Sequence, residues 1–76
     1  MPISRRPTAR LVLARNLRIE RARRGWSQEE LASRAGISQT YTSHLESAAR
    51  AVSIDTIEKL ARALGIEVFE LVKPRT

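Results

Sequence analysis

Eight arginines fall within the first 24 residues, at Arg5, Arg6, Arg10, Arg15, Arg18, Arg21, Arg23 and Arg24, against a single acid, Glu20. Guanidinium groups at that density suit a polyanionic partner, because each can neutralise a phosphate and grip it with a fork of hydrogen bonds. The same charge on a solvated helix face would simply keep the chain dispersed, and charge alone leaves both readings open. The excess is localised: residues 1–24 carry +7, residues 25–50 carry −1 and residues 51–76 carry zero, for a formal +6 overall.

The remaining chemistry-bearing residues exclude more than they suggest. His44 is the only histidine and there is no cysteine, so metal ligation, thiolate nucleophiles and disulfides find no support. Glu29, Glu30, Glu58, Glu67 and Glu70 read as solvent-facing, and no pair of carboxylates or activated nucleophile emerges. Neither catalysis nor a cofactor is expected. A chain of 76 residues forms one small domain, too short for two lobes around a cleft. At that size only about 60% of the unfolded surface is buried, so a partner subunit is a reasonable supplement and a homodimer is expected. No apolar run approaches the roughly 20 residues of a membrane span or resembles a signal-peptide core, so a cytoplasmic protein without membrane contact is expected.

Stepping along the chain, residues 1–9 hold Pro2 and Pro7 around Arg5 and Arg6 and read as a flexible basic arm. Residues 10–72 read as the folded domain, with 73–76 as a short tail. Leu11, Val12, Leu13, Ala14 and Leu17 give a first helix an apolar face, and Gly25 stops it. Ser27 opens a second helix, with Glu30 placed to reach back in a reciprocal capping box, and Gly36 ends it. Ser38 caps a third helix that turns Tyr41, Thr42, Leu45 and Ala48 inward and ends near Ser47. The joint between helices two and three is about three residues long, so the two must cross steeply. Ser53 caps a fourth helix with Ile54, Ile57, Leu60, Ala61 and Leu64 on one face and Gly65 at its end. The segment from Ile66 to Val72 is the most apolar and reads as a short fifth helix or an edge strand, ended by Pro74. The expected fold is all-α, a compact five-helix bundle.

The run from Gly25 to Glu46, with its G-x-S-Q-E-x-L-A entry, A-G-I-S turn and Y-x-S-x-L-E third helix, resembles the helix-turn-helix of the Cro and phage-repressor (XRE) family. The resemblance extends from about Leu11 to Val72 and includes the S-I-x-T-I-x-K-L-A-x-A-L-G fourth helix. It implies a lambda-repressor-like DNA-binding domain whose third helix enters the major groove of double-stranded DNA while the second crosses the backbone. By motif position, Gln39, Thr40, Ser43 and His44 would read bases, with Gln39 able to make the paired bonds that select adenine. These side chains are uncharged, so they can discriminate bases without adhering to any phosphate. Gln28, Ser38, Tyr41, Arg50 and Arg21 would meet phosphates, and Tyr41 is equally suited to a core role. The resemblance also pairs Arg21 with Glu46. Arg5, Arg6 and Arg10 could follow the backbone or enter the minor groove.

Two departures from the family pattern stand out. Thr42 fills a slot that commonly holds Ile or Val, at a cost of about 1–2 kcal/mol unless its hydroxyl bonds back to the preceding turn. Ala48-Ala49-Arg50-Ala51 replaces a loop that usually contains glycine or asparagine. Within the family, Q-T-Y-T-S-H-L-E looks most like the controller proteins of restriction-modification systems, with phage Cro-like repressors and antitoxin or protein-interaction modules as alternatives. Such a regulator would act on a two-fold symmetric operator, control its own operon and contact RNA polymerase when activating. Ile66, Val68, Phe69 and Val72 are the expected dimer interface, because the other four helices already fill the interior.

Overall fold

The computed structural model describes residues 8–75. Five helices follow one another: α1 (Ala9–Arg24), α2 (Gln28–Ala35), α3 (Gln39–Glu46), α4 (Ile54–Leu64) and α5 (Val68–Val72). Arg5 and Arg6 of the expected arm lie outside the described residues. The first helix begins at Ala9, ahead of the expected domain boundary at residue 10, because the Thr8 hydroxyl accepts from the Leu11 amide at 3.3 Å and caps it. The expected tail is also engaged, since Lys73 and Arg75 make contacts with α1 that are described below.

Ser27, Ser38 and Ser53 each cap the helix that follows, accepting at 3.0 Å from Glu30, Tyr41 and Thr56 respectively. The reciprocal half of the capping box at Ser27 is not formed. Glu30 instead turns its carboxylate one turn forward to Arg34, where opposite charges four residues apart meet on the helix surface. Four helix ends close in the same way. After α1, the amides of Gly25 and Trp26 return to Ala22 and Arg21. After α2 and α4, Gly36 with Ile37 and Gly65 with Ile66 repeat the pattern. After α3, Ala48 donates to Leu45 and Ala49 to His44. This closure needs a left-handed residue, and Ala48 adopts φ 60° where the other three ends use glycine.

The core joins Leu13 and Leu17 of α1, Leu31 and Ala35 of α2, Leu45 of α3, four residues of α4 and Leu71 of α5. Two expected core residues lie outside it. Leu11 is 52% exposed because the buried stripe of α1 runs through Val12, Leu13, Asn16, Leu17 and Glu20. Ile54 is 69% exposed, at the first turn of α4 beyond the stripe formed by Ile57, Leu60, Ala61 and Leu64. Thr42 is fully buried and its hydroxyl donates to the Ser38 carbonyl at 3.0 Å, so the polar atom is satisfied within its own helix.

The apolar C-terminal segment is helical and divides in two. Leu71 is fully buried, while Ile66 and Val68 pack half-buried against the core. The expectation that all four of Ile66, Val68, Phe69 and Val72 face a partner is therefore corrected: Phe69 and Val72 alone are exposed, because a five-residue helix lying on α1 and α4 turns its other residues inward.

Two buried polar residues of α1 hold this segment down. Asn16 donates to the carbonyls of Leu71 and Lys73 at 2.9 Å each, capping the end of α5. Glu20, 4% exposed, faces Arg24 at 2.8 Å, Arg75 at 2.8 Å and Arg23 at 3.2 Å. Arg24 also donates to the Leu64 carbonyl at 2.6 Å, closing the end of α4. Burial pushes the Glu20 carboxyl up, but hydrogen bonds from Arg24 and Arg75, aided by the charges of Arg75 and Arg23, outweigh it and hold the group below the ordinary carboxylate range.

Two stability predictions follow from these local geometries. Ala48→Gly relieves a left-handed alanine at the cost of a more flexible unfolded chain, so a net gain of about 0.5–1 kcal/mol is expected. Thermal denaturation should show a rise of a few degrees, and an unchanged or lower midpoint would contradict the strained closure. For Glu20, a carboxyl held lower in the folded state contributes fully above the unfolded carboxylate value and loses that contribution as pH falls through the folded one. Glu20→Gln should cost about 1–2 kcal/mol at neutral pH and leave a flatter acid dependence, read from urea midpoints between about pH 7 and pH 3.

Candidate nucleic-acid interface

The side chains of α3 divide by helical spacing into two faces. Thr42, Leu45 and Glu46 are buried and Tyr41 is half-buried against the core. Gln39, Thr40, Ser43 and His44, at i, i+1, i+4 and i+5, occupy the other side as one stripe. Gln39 and Thr40 are exposed, and Ser43 and His44 are half-buried. The four residues expected to read bases are thus brought together on one face. All are uncharged donors or acceptors, apart from the ionisable ring of His44.

The inner face of α3 is fixed by Glu46, which is 3% exposed. Its Oε2 accepts from Arg21 Nε at 2.7 Å and its Oε1 from Arg21 Nη2 at 2.9 Å, a forked pair. Gln28 Nε2 donates to the same Oε1 at 3.0 Å. Arg21 Nη1 donates to the Trp26 carbonyl at 2.9 Å, and Arg18 donates to the Glu46 backbone carbonyl. One carboxylate therefore joins α1, the start of α2 and the end of α3. The hydrogen bond to Glu46 raises the Arg21 guanidinium above its ordinary value, against the opposing effect of burial, with the opposite charge adding to the rise.

This geometry revises two expected phosphate contacts. Three of the five N–H groups of Arg21 are committed to Glu46 and Trp26, so Arg21 belongs to the scaffold of the site. Gln28 is half-buried and gives one amide hydrogen to Glu46, which leaves a second for another acceptor at the start of α2. Ser38 spends its acceptor on the Tyr41 amide and keeps its O–H free to donate outward. Tyr41 packs its ring on the core and donates its hydroxyl to the Ala51 carbonyl at 3.4 Å, tying α3 to the loop that carries Arg50. Arg50 is exposed and, like Arg10 and Arg15, makes no ion pair among the described residues.

Sequence reasoning assigned no role to Glu20 or Asn16, both buried on α1. Their positions at i and i+4 within the stripe of Leu13 and Leu17 were the available signal. It also missed the stacking of Arg34 over the Trp26 ring at 4.3 Å, which covers the joint between α1 and α2. Among the described residues there is no group of three or more His, Cys, Asp or Glu that could hold a metal, and no helix long and apolar enough to cross a membrane.

Comparison with known proteins agrees with this arrangement. Residues 17–71 match the helix-turn-helix family model. The chain is 45% identical over 65 residues to a hypothetical transcription factor of Neisseria meningitidis, covering 86% of this chain and 61% of that protein's length. It is 38% identical over 64 residues to the control protein C.BamHI of Bacillus amyloliquefaciens, covering 83% of this chain and 79% of the relative. Among solved structures, the restriction-modification controller protein C.AhdI of Aeromonas hydrophila superposes with a TM-score of 0.79 at 40% identity, over 82% of this chain and 94% of its own. With residues 17–71, more than half its length, matched by the family model, this chain belongs to the helix-turn-helix family of XRE type.

Proposed function

We propose that this protein is a cytoplasmic, sequence-specific transcriptional regulator that binds double-stranded DNA as a homodimer on a two-fold symmetric operator and controls its own operon, as a restriction-modification controller does. The observation that carries the reading is the neutral polar stripe of Gln39, Thr40, Ser43 and His44, held outward by the buried Glu46 pair on its other side. The likeness to C.BamHI and C.AhdI supports the controller assignment.

In this reading α3 lies in the major groove with Gln39 and Thr40 deepest at the base edges. Gln39 offers a donor and an acceptor on one planar group, matching adenine N7 and N6. Thr40 brings a methyl for thymine and a hydroxyl. The free amide hydrogen of Gln28, the Ser38 hydroxyl and Arg50 meet phosphates, which set the register without reading sequence. Arg50 receives its position from the Tyr41 strut to Ala51.

The second copy docks on the exposed apolar residues Phe69 and Val72. A shallow groove lined by Ala9, Leu13, Val52, Ile57 and Val72 continues that surface. Two reading helices about 34 Å apart then address two half-sites on one side of the duplex.

Two measurements test this reading. Affinity for the DNA upstream of the protein's own gene should fall by roughly 10³-fold or more between about 50 and 200 mM salt, as several phosphate contacts per dimer require. In the same anisotropy titrations, Gln39→Ala should relax sequence preference while Arg50→Ala weakens specific and random DNA alike. Salt-independent association, or equal losses for both variants on both DNAs, would count against these roles. Sedimentation equilibrium at tens of micromolar should give a dimer for the natural chain and a monomer for Phe69→Glu, with the folded helical signal retained because Phe69 is 60% exposed. A monomeric natural chain that binds DNA one subunit at a time would overturn the dimer.

A further inference from the structure

His44 is the one member of the reading stripe whose chemistry is narrowed by what lies beneath it. Its Nδ1 is buried and meets no hydrogen-bond partner. Its Nε2 engages no hydrogen bond among the described residues and is not among the buried unpartnered atoms, so it is the ring nitrogen with access to the surface of the half-buried residue. The two ring nitrogens of a neutral imidazole differ, one donating and one accepting. A hydrogen on Nδ1 would be a buried donor with no acceptor, the costlier way to leave a polar group unsatisfied than a bare lone pair. Burial therefore places the hydrogen on Nε2.

We infer that His44 is a donor-only reader, presenting Nε2–H to the major groove and rejecting cytosine, the one base without an acceptor there, at one position of each half-site. The inference rests on the DNA-binding reading above and adds the polarity of one contact to it. An Nε2–H can donate to guanine O6 and N7, to adenine N7 or to thymine O4, whereas cytosine offers only its N4 amino group, hydrogen toward hydrogen. The role is the same in the imidazolium, which also carries a hydrogen on Nε2. Gln39, by contrast, carries a donor and an acceptor and is suited to adenine. The stripe thus holds two readers of different preference about 1.4 helical turns apart along α3.

Two experiments test the two halves of the inference. Because His44 is the only histidine in the chain, ¹⁵N spectra of the uniformly labelled protein report its tautomer without assignment ambiguity. At about pH 8, where imidazoles are neutral, the Nε2-protonated form is expected; a dominant Nδ1-protonated form, or an even mixture, would overturn the argument from burial. Selection from a randomised duplex pool then compares the natural chain with His44→Ala and His44→Gln. The natural chain should deplete cytosine at one position per half-site by about tenfold. His44→Ala should lose that depletion there alone, and His44→Gln should replace it with a preference for adenine. A selective natural chain whose profile is unchanged in His44→Ala sinks the inference and leaves the DNA-binding reading intact. A natural chain that selects no sequence at all sinks both.

Discussion

The orientation of α3 depends on a single buried carboxylate. Glu46 sits at the end of that helix, and its two oxygens take three hydrogen bonds, two from Arg21 on α1 and one from Gln28 at the start of α2. A buried ion pair of this kind is not chiefly a source of stability, since desolvation offsets much of the attraction. Its strength is directional. Removing one partner strands the other, typically at about 3–5 kcal/mol, so rotations or slides of α3 that would break the fork are penalised. An apolar contact such as Leu45 in the core tolerates a rotation of some degrees; a forked guanidinium does not.

A second carboxylate does the equivalent work at the other end of the molecule. Glu20 gathers Arg23, Arg24 and Arg75, and Asn16 beside it donates to the carbonyls of Leu71 and Lys73. Much of the arginine excess of α1 is therefore spent inside the fold. Arg21, Arg23 and Arg24 have acidic partners, and Arg18 holds the Glu46 carbonyl. Among the described residues, the cations that remain without a partner are a smaller set, Arg10, Arg15, Arg50, Lys59 and Arg62. The charge run visible in the sequence is in large part a bracing system that also happens to leave the chain cationic.

How much was legible in the residues follows from the range of each interaction. Caps and glycine closures are set within four or five residues, so the ends of α1 to α4 could be read from Ser27, Ser38, Ser53, Gly25, Gly36 and Gly65. The stripe on α3 could be read for the same reason, because helical spacing alone places Gln39, Thr40, Ser43 and His44 together. Contacts spanning the chain were not legible from local pattern. Asn16 finds partners 55 and 57 residues away, and nothing near it in sequence announces them. The Arg21 pairing with Glu46, 25 residues apart, was anticipated from family resemblance and not from spacing. Glu30 misled because two local options compete for one carboxylate, and Arg34 a turn ahead offers charge where the Ser27 amide offers only a dipole.

The contrast between the two faces of α3 bears on why a regulator of this size would need a partner. Eight helical residues span about 12 Å, which matches the width of the major groove and brings side chains to about four base pairs. In the proposed reading the exposed members of that span, Gln39 and Thr40, are uncharged, which sacrifices non-specific affinity for discrimination. In that reading affinity must then come from phosphate contacts outside α3, and the fold has already committed Arg21, Arg23, Arg24 and Arg75 to the Glu46 and Glu20 carboxylates. Doubling the subunit restores both quantities at once, since it repeats the few remaining phosphate contacts and extends the sequence read. The exposed Phe69 and Val72 lie on the short helix that Asn16 and Leu71 fasten to α1, and α1 is the helix that Arg21 fastens to α3. A dimer made through α5 would therefore be joined to the reading helices by a chain of buried polar contacts, which fixes the distance between half-sites as firmly as it fixes the helix itself.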